Sequence, residues 1–173
     1  LGTGQGAVPA RHHLPRQPVS APIKNRLVEI RHITNRKKDF LDLLLLADES
    51  EMMIERYLDR GEMFALYDEG LKSICVVTQE GQGLYEIKNL ATCPPFQRRG
   101  YARKLIEYVE SLYPRGATLQ VGTGDSPLTI PFYERCGFRY SHRVPGFFTD
   151  HYPPPIFEGG RQLVDMIYLK KEI

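Results

Sequence analysis

Hydrophobic and polar positions change rhythm several times along this chain, and each rhythm predicts an element. "LVEIRHI", Leu27 to Ile33, alternates with period two and predicts a strand. "NRKKDFLDLLLLADESEMMIERYLDRG", residues 35–61, predicts one long or two short helices closed by Gly61. "EMFALYDEGLKSICVVTQEG" predicts two strands about a turn at Asp68 to Gly70, and "GLYEIKNLAT", Gly83 to Thr92, predicts another. The following stretch carries Ala102, Leu105, Ile106, Val109 and Leu112 on one helical face, with Arg103, Lys104, Glu107 and Glu110 off it. "ATLQVG", residues 117–122, reads as a strand. "DSPLTIPFYERCGF", residues 125–138, predicts a helix with Ser126 as N-cap, Pro127 at its first position and Gly137 beyond its end. Strands "RYSHRV" and "RQLVDMIYLKK" close the chain around an aromatic, proline-rich connection. The predicted order is β-α-α-β-β-β-α-β-α-β-β, without an internal repeat.

The first 26 residues do not share this patterning. They hold four prolines, three glycines and no acid, so they read as a disordered tail or linker, or, given the leading leucine, as a remnant of expression or of processing. Residues 27–173 form the expected domain, long enough to bury a core. Charge sharpens this division. Arg11, Arg16, Lys24 and Arg26 precede the first acid, and removing those four from 23 basic residues leaves 19 against 21 acids. The body is therefore mildly acidic, about −2, a poor match to nucleic acid. It leans towards cationic partners. Three cysteines without a CxxC pattern argue against a disulfide scaffold and suit a reducing compartment. The longest apolar run, "LLLLA", is too short to span a bilayer. A cytoplasmic protein without membrane partners is expected.

The stretch with the most chemical content is "CPPFQRRGYARKLIEY", Cys93 to Tyr108. A strand, a turn and Gly100 at a helix start leave backbone N–H groups free to point at an anion. Glycine permits close approach because it lacks a Cβ. Gln97, Arg98, Arg99, Arg103 and Lys104 supply further donors and charge. This is a phosphate-binding turn, and without GK[ST] it is not of the Walker type.

"QRRGYA", Gln97 to Ala102, resembles the (Q/R)xxGx(G/A) pyrophosphate loop of the GCN5-related N-acetyltransferase (GNAT) family. "SPLTIPFYERCGF", Ser126 to Phe138, resembles that family's segment with a tyrosine shortly before Gly-Phe, and the element order from Leu27 agrees as well. The resemblance implies an α+β, three-layer fold: a mixed, mostly antiparallel sheet flanked by helices and splayed between its fourth and fifth strands. It implies acetyl-CoA as acyl donor, with its pyrophosphate on Gln97, Arg98, Arg99, Gly100, Tyr101 and Ala102. The pantetheine arm would pair with main-chain groups of Leu90, Ala91 and Thr92. Ser126 stands where the family often has asparagine and offers a hydroxyl in place of a two-ended amide.

Acetyl transfer to an amine needs a neutral nucleophile and a proton for the departing thiolate. An alkylamine has a pKa of ~10.4 and a thiol ~8.5, so both proton steps benefit from help near neutrality. The resemblance assigns the acid to Tyr133; the plainer reading of Tyr133 is a core aromatic. Glu86 is the candidate base, acting through water, and is equally suited to an ion pair with Lys88 two residues on. Asp125 and Asp150 are reserves, and a main-chain N–H near Thr92 is a candidate oxyanion donor. Cys93 lacks a histidine motif beside it and reads as a loop cysteine rather than a nucleophile. The histidines lack metal-ligand spacing, so no metal site is expected.

The connection "VPGFFTDHYPPPIFEGG" offers Phe147, Phe148, Tyr152 and Phe157 as an apolar acceptor wall, with Asp150 or Glu158 to meet a cation. Alternatively it covers a sheet edge and stabilises a homodimer, an assembly common among relatives. The leading expectation is an N-acetyltransferase acting on a small-molecule or peptide amine. A non-catalytic acyl-CoA sensor of the same fold is the alternative. A third reading takes "LQVGTGDS", Leu119 to Ser126, as the nucleotide turn of a methyltransferase.

Overall fold

The computed structural model describes residues 28–173; the expected tail, residues 1–26, lies outside the described residues. In chain order the elements are β1 (Glu29–Ile33), α1 (Leu41–Ala47), α2 (Glu51–Glu55), β2 (Glu62–Tyr67), β3 (Leu71–Gly81), β4 (Leu84–Thr92), α3 (Tyr101–Leu112), β5 (Thr118–Gly124), α4 (Ile130–Arg135), β6 (Arg139–Val144), α5 (Phe147–His151), β7 (Phe157–Glu158), β8 (Arg161–Gln162) and β9 (Met166–Glu172). Seven strands form one sheet in the order β1-β2-β3-β4-β5-β9-β6, and β7 pairs with β8 apart from it. Every pairing in the large sheet is antiparallel except β4 with β5. This is the expected mixed sheet.

Alternation along the central strands produces three layers. Met63 and Ala65 of β2, with Ile74 and Val76 of β3, face Leu44, Ile54 and Leu58 around α1 and α2. Their neighbours Phe64, Leu66, Cys75 and Val77 face Leu105, Ile106 and Val109 of α3 on the opposite side. Each fully buried aliphatic side chain contributes ~1.5–3 kcal/mol, so both faces are held by the same hydrophobic pattern.

Residues 35–61 form two short helices because the chain breaks between them at Asp48. The Ser50 side chain then caps the second helix, accepting from the Met53 amide at 3.3 Å. Gly61 ends the segment through close approach rather than left-handed backbone. A Cβ there would lie 2.8 Å from Val76 Cγ1 and 2.9 Å from the Tyr57 carbonyl oxygen.

Three expectations change. The helix predicted over 125–138 begins only at Ile130, because Ser126 organises a preceding turn. Its Oγ accepts from Leu128 N at 3.1 Å and its carbonyl from Ile130 N at 3.2 Å. The single strand predicted over 161–171 divides into β8 and β9, which have different partners. The glycines of "GTG" do not form a nucleotide turn. Gly122 and Gly124 lie within β5, opposite Tyr168 and Met166 of β9, which removes the basis for the methyltransferase reading.

Candidate active site

The parallel pairing of β4 with β5 runs only from Leu84↔Thr118 to Ile87↔Val121. At the same level β4 is irregular against β3: Val77 opposes Ile87 and Val76 opposes Asn89, leaving Lys88 as an extra residue. Such a bulge bends its strand and reverses which face the following side chains occupy. Ile87 accordingly packs with the α3 layer, whereas Ala91 packs with the α1–α2 layer. Beyond Lys88 the two strands part, and a cleft of about 270 Å³ opens between them. Leu90, Ala91, Thr92 and Gln97 line one wall, and Val121, Gly122, Thr123 and Tyr133 the other.

Main-chain direction within this wall follows from strand alternation. The Ala91 carbonyl is turned to β3, where it accepts from Ser73 Oγ at 2.9 Å, and Cys93 N donates to Lys72 O at 2.8 Å. Leu90 and Thr92, one residue out of step, therefore direct their main-chain groups into the cleft. Gln97 Nε2 donates to the Thr92 carbonyl at 3.2 Å from that side.

The turn that follows is pinned from below and open above. The Lys72 ammonium lies 3.7 Å from the Phe96 ring centroid. The buried Tyr101 donates its hydroxyl to Asp68 Oδ2 at 2.6 Å. Arg98 (φ 62°) and Gly100 (φ 91°) are left-handed, and α3 has no side-chain cap on its first N–H groups. Arg98, Arg99 and Gly100 are all exposed. Free amides, the positive end of a twelve-residue helix and two exposed guanidinium side chains thus meet at one place.

Tyr133 is held from its own backbone. Its carbonyl accepts from Phe138 N at 3.1 Å, while Glu134 O accepts from Gly137 N at 3.0 Å, the paired bonds of a Schellman helix end. Phe132 and Phe138 flank its ring edge-on. Burial, reinforced by the Cys75 and Cys136 thiols, pushes its hydroxyl well above the usual phenol range, so it stays protonated near neutrality. Ser126, by contrast, is 1% exposed and does not line the cleft.

A second cavity of about 320 Å³ adjoins the first and shares Asp48, Ile87, Lys88, Gly122, Tyr152 and Met166 with it. Glu86 opens onto this cavity but is nearly buried. Gln120, its register partner on β5, donates to Oε1 at 2.5 Å, and the Lys88 ammonium contacts Oε2 directly. Both readings of Glu86 therefore remain compatible with its position: it faces the cavity and it is ion-paired.

Sequence reasoning did not find the group that joins the two cavities. Asp48 Oδ1 accepts from the Tyr152 hydroxyl at 2.7 Å and Oδ2 from the Tyr57 hydroxyl at 3.2 Å. Asn89 Nδ2 in turn donates to Tyr57 Oη at 3.1 Å and Leu44 O at 2.9 Å. Four segments are tied together here, yet the sequence carries only scattered polar residues. Of the connection's candidates, Phe147, Phe148, Tyr152 and Glu158 line one cavity or both. Phe157 is 63% exposed and lines neither. Asp125 and Asp150 line neither of these cavities. No helix among the described residues is long and apolar enough to cross a membrane.

Comparison with known proteins agrees with this geometry. The acetyltransferase (GNAT) domain family matches residues 59–140. An uncharacterized N-acetyltransferase of Bacillus subtilis, YvbK, is 34% identical over 146 residues, spanning 82% of this chain and 93% of its own. A GNAT family acetyltransferase from Elizabethkingia anophelis, solved with acetyl-CoA bound, superimposes with a TM-score of 0.77 at 33% identity. That match covers 84% of this chain and 98% of the other. A Bacillus subtilis acetyltransferase solved with CoA gives a TM-score of 0.75 at 32% identity, covering 85% of this chain and 99% of its own. At this degree of identity and coverage, the chain belongs to the GNAT acetyltransferase family.

Proposed function

We propose that this protein transfers an acetyl group from acetyl-CoA directly to a primary amine, with the two cavities holding donor and acceptor. The observation that carries the reading is one cleft: the gap between the parted β4 and β5 has Tyr133 on one wall and Gln97, the first residue of the turn into α3, on the other. Acetyl-CoA suits that cleft with its diphosphate on the main-chain amides of Gln97 to Ala102 and the exposed side chains of Arg98 and Arg99. Its pantetheine amides pair with the main-chain groups of Leu90 and Thr92, while Ala91 contributes only to the wall. Ser126 serves by shaping the turn into α4.

The acceptor amine attacks the thioester carbonyl from the adjoining cavity, so a C–N bond forms and the C–S bond breaks. Tyr133 gives its proton to the departing thiolate, a role favoured by a hydroxyl that stays protonated. The proton lost by nitrogen passes through water to Glu86, whose carboxylate is oriented by Gln120 and Lys88. The main-chain N–H of Thr92 faces the cleft and is suited to the oxyanion. Lys88 keeps its second carboxylate partner, Glu80, at 3.2 Å, so it can accompany Glu86 without being consumed by it.

The test is calorimetric titration of acetyl-CoA, followed by CoA-thiol release with a panel of amines. Saturable binding that Gly100→Glu abolishes, together with CoA release on adding an amine, is the expected result. Binding without release for every amine would make the protein an acyl-CoA sensor and sink the transferase reading.

A further inference from the structure

We infer that the acceptor is a small amine that carries a carboxylate on an apolar body, and that Arg56 is the residue that reads the carboxylate. This rests on the transferase reading above and adds the chemical class of its second substrate.

The argument is an accounting of charge in the second cavity. Six charged groups matter there: Asp48, Glu86, Lys88, Arg60, Arg56 and the nearby Glu80. Asp48 is satisfied by the Tyr152 and Tyr57 hydroxyls and by the Ser50 amide at 3.2 Å. Glu86 is held by Gln120 and Lys88. Arg60 and Lys88 converge on Glu80, at 2.9 and 3.2 Å. Arg56 remains. Its guanidinium has no carboxylate within ion-pair distance among the described residues, and its one hydrogen-bond contact is the Met53 thioether, 3.5 Å away. It stands at the exposed end of α2 and lies close enough to Tyr152 for its charge to act on that hydroxyl.

The remainder of the cavity is apolar and aromatic: Met53, Tyr57, Phe147, Tyr152, Met166 and Tyr168 line it. Such a surface suits an aliphatic or aromatic side chain, and its two carboxylates, Asp48 and Glu86, are already partnered, so neither is left for the second amine of a polyamine. The inner end is the acyl-transfer end, where Glu86, Ile87 and Gly122 border the parted strands. An amine placed there leaves the acceptor's other pole facing the mouth and Arg56. The cavity's charge pattern thus departs from the mildly acidic balance of the whole body: the one charge left for a ligand is positive. A planar guanidinium matches a carboxylate with two parallel hydrogen bonds, which a neutral amide or alkyl end cannot return.

The experiment compares matched pairs in the thiol-release assay with the full chain: 6-aminohexanoate against pentylamine, 4-(aminomethyl)benzoate against benzylamine, and each amino acid against its amide. A charge-assisted pair predicts kcat/KM about 10–100-fold higher for the free carboxylate. Arg56→Met should remove that preference, and Arg56→Lys should keep part of it. Unchanged thermal unfolding and acetyl-CoA affinity in both variants would show that the fold and donor site are intact. Equal or better rates with decarboxylated amines or amides would overturn this inference alone, as would a carboxylate preference that survives Arg56→Met. A peptide with a blocked C-terminus that outperforms every free amino acid would do the same. Acetyl-CoA bound but no CoA released with any amine would overturn the transferase reading and this inference with it.

Discussion

Removing one hydroxyl, by Tyr152→Phe, should loosen the acceptor cavity more than the donor cleft, which Tyr152 also borders. Tyr152 follows α5, and its hydroxyl is 2.7 Å from Asp48 Oδ1 at the break between α1 and α2. That bond fastens the connection after β6 to the helical layer, across the cavity mouth. A hydrogen bond to a charged group is worth ~1.5–3 kcal/mol, and partial exposure of both residues argues for the lower end. A loss of about 1.5 kcal/mol corresponds to ~3–6 °C in Tm for a chain of this size. If the bond holds the wall closed, the acceptor KM should rise by up to about tenfold, because 1.4 kcal/mol is a factor of ten. The Kd for acetyl-CoA should stay within about twofold.

Asp48→Asn supplies the control. The amide keeps the shape but cannot accept from Tyr152, Tyr57 and Ser50 together, so it should cost more than Tyr152→Phe. The double variant should then be less destabilised than the sum of the singles, by ~0.5–3 kcal/mol. Thermal or urea unfolding of the four proteins measures the coupling without any acceptor. Strict additivity would refute the latch, and so would an acetyl-CoA Kd that worsens as much as the acceptor KM.

Tyr133→Phe should lower kcat by ~10²-fold or more with little change in acetyl-CoA affinity, measured by thiol release beside calorimetry. Since burial raises the hydroxyl above its ordinary value of 10.0, wild-type kcat should show no decline from this group below about pH 10; a decline centred near pH 8 that vanishes in the variant would contradict the assignment. Gly61→Ala should destabilise by ~1–3 kcal/mol in urea unfolding, because its Cβ would press on the Tyr57 and Val77 carbonyls, which cannot turn aside. Burial acts to raise the Glu80 carboxyl, but hydrogen bonds from Thr78 and Arg60 and the charge of Lys88 outweigh it and hold the group down at about 2. The unfolded chain therefore holds this proton more tightly. The contribution is complete above the ordinary value of 4.5 and is lost as pH falls towards 2. Glu80→Gln should flatten the stability-against-pH curve in that window, and an unchanged slope would refute it.

Much of the architecture was legible because burial writes its own period into the sequence. The alternation of "EMFALY" and "SICVV" gives both faces of the central strands, and Leu105, Ile106 and Val109 give the inner face of α3. The exposed basic turn before α3 was equally plain, since Gly100 and its neighbouring arginines are contiguous in the chain. Tyr133 was singled out only through the resemblance of residues 126–138 to the family's segment; the amides of Gly137 and Phe138 close its helix in the fold.

Other features depend on which distant segments meet, and no local period encodes that. Lys88 looks like any strand lysine; only pairing with β3 makes it a bulge, and only the bulge parts β4 from β5. Gln120 became a partner of Glu86 through strand register, 34 residues away. Asp48 and Tyr152, 104 residues apart, were joined when the final connection folded across the first helices. The sequence by itself determined the layers and the exposed basic turn before α3, because each arises from neighbouring residues and periodic burial. The tertiary structure decided the cleft, the orientation of Glu86 and the charge left over at Arg56, because each is a balance struck among groups that the chain brings together only on folding.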